Sequence, residues 1–202
     1  MLLSDNDILQ EMKKRKITIE PFRKEQLQTN GYDVRVGPIY YVLKEDVNAF
    51  FPFVKDFINE AYERKEAKED ILHIRGKEAH GRFIRIPPHG FVIAATIERT
   101  KTTEDIAASL RCRSSLARTG ISIARCAGWG DIGFEGVWTM EIVNHLRIPY
   151  YLPVGLRVGQ LIFLKTESPA QREYAGKYLK SEGPTLPKLY ADNDLSTLIK
   201  IK

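Results

Sequence analysis

The residues most able to do chemistry sit close together in this chain. Arg113-Ser114-Ser115-Leu116-Ala117-Arg118 joins two guanidinium groups to two hydroxyls on one short stretch. Read as a helical turn with Ser114 as N-cap and Gly120 after its end, it offers free backbone amides and a positive dipole beside Arg113, which suits a phosphate. Residues four apart share a helical face, so Ser114 and Arg118 point the same way. A capped surface turn with solvated arginines is an equally good reading of this segment alone. The next stretch, Cys126 to Gly136, holds four glycines in nine residues, Gly128, Gly130, Gly133 and Gly136. A backbone of that kind turns sharply or lets a flat ligand approach its N–H and C=O groups. About thirty residues after Arg113 comes Glu141, a carboxylate inside the apolar run Val137 to Val143. On a strand, Val137, Thr139, Glu141 and Val143 share a face. Burial there would raise the carboxyl pKa, which suits a group that takes and returns protons near neutral pH, whereas an edge-strand glutamate facing water would do nothing.

These groups need a scaffold, and 202 residues are enough for one domain with its own core. Ser4 and Asp7 read as the start of a helix that runs through Ile8, Leu9 and Met12 to a basic end at Lys13–Lys16. Asn30-Gly31 marks a turn into the strand Tyr32–Val36. Phe83–Ile86, Phe91–Glu98, Gly136–Asn144 and Leu161–Leu164 are further strands. Short strands broken by Gly and Pro imply a mainly β sandwich, jelly roll or barrel. Residues 46–80 stand apart. Their aromatic start (Phe50, Phe51, Phe53, Phe57) and the charged run Glu63–Asp70 predict an amphipathic helix in an insertion. The tail from about 170 loses periodicity and is expected to be mobile.

Composition excludes more than it proves. Hydrophobic residues are 43% and charged residues 28% of the chain, an ordinary balance for a globular protein. No run approaches the ~20 apolar residues of a membrane span. The N-terminus shows no secretory pattern, so the expected compartment is the cytoplasm. Cys112 and Cys126, with four histidines, do not make a persuasive zinc site. The net charge of +5 is spread along the chain rather than clustered, which argues against nucleic acid as a partner.

Taken together, the motifs resemble the dCTP deaminase branch of the dUTPase-like superfamily. The likeness is carried by Asn30–Gly37, Arg113–Arg118, Ala127–Phe134, Glu141, Gly155–Phe163 and Tyr174–Tyr178 running on to Gly183-Pro184-Thr185, in the family's order. It implies a distorted jelly roll with a few short helices, assembled as a homotrimer whose sites lie between subunits, with a tail closing over nucleotide. It implies deamination of dCTP without zinc, with Mg²⁺ carried on the triphosphate. By resemblance, Glu141 handles the proton, and Ser114 and the Ala127 carbonyl hold the water. Arg118 acts around C4. Arg113, Ser115, Gln160, Tyr174 and Lys177 meet the phosphates, and the Gly128-Trp129 backbone meets the nucleotide. Asp131 stands where dUTPases keep a carboxylate beside the deoxyribose, so onward hydrolysis of dUTP to dUMP and pyrophosphate is also implied. A dUTPase without deaminase activity, or a non-catalytic nucleotide sensor on the same fold, are the alternatives. The chain departs from the family's pattern at Ala124, Cys126, Ile132 and Ser181.

Overall fold

The computed structural model describes residues 1–125 and 127–200; Cys126 lies outside them. In chain order the elements begin with α1 (Asp5–Lys13), β1 (Ile17–Glu20), β2 (Leu27–Gln28) and β3 (Gly31–Leu43). They continue with α2 (Lys55–Ala61), β4 (Tyr62–Glu66), β5 (Glu69–Ile74), β6 (Lys77–Ile86) and β7 (Phe91–Thr102). Next come β8 (Ile106–Cys112), α3 (Ser114–Ala117), β9 (Ile121–Ser122), β10 (Trp129–Gly130) and β11 (Glu135–Asn144). The last are β12 (Tyr150–Pro153), β13 (Arg157–Lys165) and α4 (Leu195–Leu198). The mainly β reading therefore holds.

One strand carries the architecture. The first half of β3 pairs with β13 and its second half with β7, and the register shifts between Val36 and Tyr40. Gly37-Pro38 falls at that shift, where proline's missing N–H breaks no regular ladder; the Pro38 carbonyl instead accepts the Ala67 amide at 2.9 Å. The main path runs β10-β8-β13-β3-β7-β11-β9, and a second sheet, β12-β6-β5, lies beside it. Inward side chains from these strands, among them Tyr32, Val34, Ile84, Ala94, Met140, Ile142, Leu161 and Phe163, form one buried core.

α1 starts as its sequence indicates. Ser4 and Asp7 make a reciprocal capping box, an arrangement that contributes about 1 kcal/mol. Residues 46–80 differ from expectation. Within the described 46–80 segment Lys55–Ala61 is helical, and the charged run after it lies on β4 and the start of β5, broken at Ala67-Lys68. β4 adds to the edge of β3, Leu43 opposite Tyr62 through Ile39 opposite Glu66. β5 and β6 then form a hairpin through Arg75-Gly76, both at positive φ, the geometry of a two-residue turn matched to strand twist. The charges of 63–70 lie on edge strands with mostly exposed residues, so they satisfy a solvated β edge as readily as a solvated helix face.

The deepest charge in the scaffold is Glu98, fully buried on β7. Its Oε1 accepts from Arg35 Nε at 2.6 Å and Gln26 Nε2 at 2.9 Å, and its Oε2 from the Arg35 amide at 2.8 Å. Removing one partner would leave the other buried without compensation. Glu98→Ala is expected to cost about 3–5 kcal/mol in chemical denaturation, and the double variant Glu98→Leu with Arg35→Met markedly less.

Candidate active site

Glu141 sits on β11 directly opposite Ile93 of β7. β11 buries Trp138, Met140 and Ile142 in the core, so the alternate side chains Val137, Thr139 and Glu141 turn to the opposite face. They line a cavity of about 390 Å³. Val143, expected on the same face, does not line it. Phe91, Ile93 and Phe134 wall this cavity with apolar surface, and Trp129, Asp131 and Ala127 stand at it from the glycine-rich loop. The Phe134 ring leans on Trp138 and Tyr174 with centroids 5.1 and 6.3 Å apart. Trp138 is pinned in turn by its Nε1 donating to Thr100 Oγ1 at 2.8 Å.

The Glu141 Oε2 is buried and finds no hydrogen-bond partner among the described residues. Burial pushes the carboxyl pKa above its ordinary value of 4.5; its own backbone amide and the charge of Arg125 pull the other way but do not offset it. A carboxylate left in this state favours a proton or a ligand that supplies a donor.

The glycine-rich loop is shaped by the chain itself as much as for a ligand. Trp129-Gly130 pairs with Ser109 and Ala108 of β8. The turn Asp131–Phe134 closes with the Phe134 amide on the Asp131 carbonyl at 3.0 Å. Gly133 and Gly136 both hold positive φ, and a Cβ at either would lie 2.5 Å from Glu173 or Ser181 of the tail. Their missing side chains are thus used by the tail. Asp131 is exposed at the mouth, where its Oδ1 accepts the Trp129 indole N–H at 3.0 Å.

The tail lies folded along β11 rather than away from the body. The Tyr174 amide reaches the Ile132 carbonyl at 2.7 Å, Lys180 that of Glu135 at 2.7 Å, and the Val137 amide donates to Ser181 at 3.0 Å. Tyr174, Tyr178, Ser181 and Thr185 close the cavity. Lys177 does not enter it. Its ammonium donates to the Lys188 carbonyl and pairs with Asp192.

The remaining predicted residues gather at a second place. α3 spans Ser114–Ala117, with Arg113 as the N-cap and no side-chain cap bond, so Ser114 is the first helical residue and not the cap. Ser114, Ser115 and Arg118 are exposed and do not line the Glu141 cavity. Arg113 Nε and Arg157 Nη1 approach Asp33 Oδ2 at 3.3 and 3.2 Å, and Gln160 Nε2 donates to Asp33 Oδ1 at 3.2 Å. Asp33 is 1% exposed and anchors all three donors. Its motif was visible in the sequence, but nothing in the spacing pointed to Arg113 or Arg157 as its partners. Thr139 was foreshadowed by its shared face with Glu141, whereas Phe91 and Ile93 gave no signal before the β7–β11 pairing was known.

The model of the dCTP deaminase-like family matches residues 2–166. A Dictyoglomus turgidum protein named dCTP deaminase, dUMP-forming, is 34% identical over 95% of this chain and 96% of its own length. Proteins of the same name from Nanoarchaeum equitans and Mycolicibacterium gilvum are 34% and 32% identical, over 95% and 94% of this chain and 99% and 96% of theirs. The crystal structure of 2'-deoxycytidine 5'-triphosphate deaminase from Agrobacterium tumefaciens superposes with a TM-score of 0.57 at 21% identity, over 82% of this chain and 48% of that one. At that identity the likeness speaks for the fold, and this chain spans about half of that longer chain.

The raised pKa of Glu141 has a consequence for stability. Between the carboxyl's ordinary value and its higher folded value, the folded state holds a proton that the unfolded chain has released, so stability falls as pH rises through that window. Glu141→Gln removes this loss. Its melting temperature relative to the parent should therefore climb from about pH 4.5 upward and then level off, as read by thermal denaturation across pH. A difference independent of pH would contradict the buried-carboxyl account.

Proposed function

The chain belongs to the dCTP deaminase-like family, and on that premise we propose that it converts dCTP to dUMP in two hydrolytic steps. In the first, water adds at C4 of the cytosine and ammonia leaves. In the second, water cleaves the triphosphate of dUTP to give dUMP and pyrophosphate. The observation that carries this reading is the Glu141 carboxyl in an apolar-walled cavity, its Oε2 buried with no hydrogen-bond partner among the described residues. Such a group can take a proton from water, hold it, and return it to the ring and the departing amine.

The other roles follow the resemblance to the family. Ser114 and the Ala127 carbonyl hold the attacking water, and Arg118 stabilises charge at C4. The Gly128-Trp129 backbone meets the base. Arg113, Ser115, Gln160, Tyr174 and Lys177 meet the phosphates, with Lys177 exchanging Asp192 for phosphate oxygen. Asp131 supports the second water. Mg²⁺ would arrive on the triphosphate, since it accepts phosphate oxygens and waters in place of a protein cage, and the described residues hold no group of three or more His, Cys, Asp or Glu side chains suited to a metal. In this reading Glu141 generates the nucleophile and zinc takes no part. The implied setting is the cytoplasm, where pyrimidine deoxynucleotides supply thymidylate synthesis.

The Arg113–Arg118 turn does not line the Glu141 cavity within one chain. A homotrimer that brings the turn of one subunit to the cavity of the next is therefore part of the proposal.

Incubation with dCTP and Mg²⁺ should release ammonia and give dUMP with pyrophosphate, unchanged by a zinc-selective chelator. Glu141→Gln should lower ammonia release by about 10²–10⁴-fold while nucleotide still binds. Asp131→Asn should keep ammonia release and accumulate dUTP. Rapid pyrophosphate release from dUTP with no turnover of dCTP would select a dUTPase instead, and nucleotide binding with neither product would select a sensor. Mixing inactive Glu141→Gln and Arg118→Ala subunits should restore a fraction of parent activity if sites are shared between chains; no recovery after subunit exchange would refute the sharing.

A further inference from the structure

The segment ahead of the β5–β6 hairpin is not a peripheral appendage. Ile58 and Ala61 of α2 and Tyr62 of β4 are buried with Ile93 of β7 in an apolar cluster separate from the main core. Leu186 and Tyr190 of the tail pack onto this same cluster. Ile93 is also the residue opposite Glu141, and it walls the Glu141 cavity together with Phe91. A single small cluster thus touches α2, the tail and the wall of the site.

Beyond this cluster the tail is braced against itself. Lys188 Nζ donates to the Lys177 carbonyl at 2.7 Å and Lys177 Nζ to the Lys188 carbonyl at 3.0 Å. The Lys188 amide donates to the Tyr178 hydroxyl at 3.1 Å. Residues 177–192 are therefore cross-linked as one lobe. The lobe reaches the site through the Thr185 amide, which donates to Thr139 Oγ1 at 3.1 Å, and through Pro187 and Leu189 at the cavity. Between α2 and residues 182–190 a cleft of about 310 Å³ remains, lined in part by Tyr41, Ile58 and Asn59. Contact between lobe and platform is thus incomplete. Joints with few buried apolar contacts open at lower free energy than the core.

We propose that residues 47–62 are the seat of the tail. Ile58, Ala61 and Tyr62 hold Leu186 and Tyr190, and through them hold the lobe over Glu141, so this segment sets how readily the cavity opens to exchange nucleotide and product. These are positioning residues and touch no reacting atom. The kinetic part of the inference rests on the proposed function; the structural part does not.

The test uses the full chain with Leu186→Ala, Tyr190→Ala and Tyr190→Phe, read by amide hydrogen exchange without nucleotide and by kinetics. Exchange at the Thr185 amide, the one that joins the lobe to Thr139, should accelerate by about tenfold or more in both alanine variants. The Tyr174 and Lys180 amides, bonded to the Asp131–Glu135 stretch, should keep their protection, and Tyr190→Phe should behave as the parent because it retains the ring. With dCTP, the alanine variants should raise KM several-fold and leave single-turnover ammonia release at saturating nucleotide near the parent rate. Unchanged protection at Thr185 would overturn the seat. So would equal acceleration at Tyr174, or Tyr190→Phe as damaging as Tyr190→Ala. If the exchange pattern holds but dCTP is not turned over, the seat stands and the functional reading falls. If dCTP is turned over with no change in exchange, the reverse is true.

Discussion

A carboxylate taken out of water and left with an unpaired oxygen is the constraint on which this structure turns. Glu141 reaches that state because β11 has two faces of different character. Trp138, Met140 and Ile142 commit one face to the core, and the strand's alternation then delivers Glu141 to the other, against Ile93 and the aromatic wall. An isolated strand could not hold it there. The pairing with β7 fixes the register, and a slip by one residue would turn Glu141 into the core and Met140 into the cavity. The bonds of Trp138 to Thr96 and Thr100 work against such a slip, because breaking either would leave a buried donor unsatisfied at about 1–3 kcal/mol.

The distribution of charge follows from the same constraint. Within one chain, a cationic cluster packed beside Glu141 would pair with it and oppose the upward pull of burial on its pKa. The chain instead gathers Arg113, Arg157 and Gln160 around a different buried carboxylate, Asp33. That arrangement keeps the guanidinium groups oriented at a fixed place while leaving Glu141 desolvated. Two carboxylates thus have opposite surroundings, one satisfied by three donors and one short of a partner. The first holds two guanidinium groups in place, and the second has the desolvated surroundings on which the proposed proton transfer rests.

The legibility of these features in the sequence depended on how local their causes were. The capping box of α1 needs four residues, and Ser4 and Asp7 announce it. The strand carrying Glu141 declares itself by alternation over seven residues. The charged run Glu63–Asp70 was misread as helix because charge says that a segment is solvated and nothing about its period; the turn that decides the matter, Arg75-Gly76, lies downstream of the run. The glycines of 128–136 correctly signalled close approach, but sequence cannot name what approaches. At Gly133 and Gly136 it is the tail. Asp33 with Arg113, and Ile58 with Tyr190, are partnerships across 80 and more residues of chain, and no local pattern encodes them.

The tail's packing also bears on why its sequence looked structureless. It has no apolar periodicity because it buries no continuous face. It is held instead at separate points: backbone bonds to Ile132, Glu135 and Val137 at one end, the Thr185–Thr139 bond in the middle, and two apolar side chains at the far end. The end nearest the glycine loop adds backbone ladder contacts whose strength does not depend on side-chain identity. At the far end Leu186 and Tyr190 supply the apolar side chains that pack on the cluster of Ile58, Ala61, Tyr62 and Ile93. On the proposed seat, opening begins at the side-chain end, which is the end that packs on Glu141's neighbour Ile93. The direction of opening is therefore set by which kind of contact holds each end, not by the number of contacts.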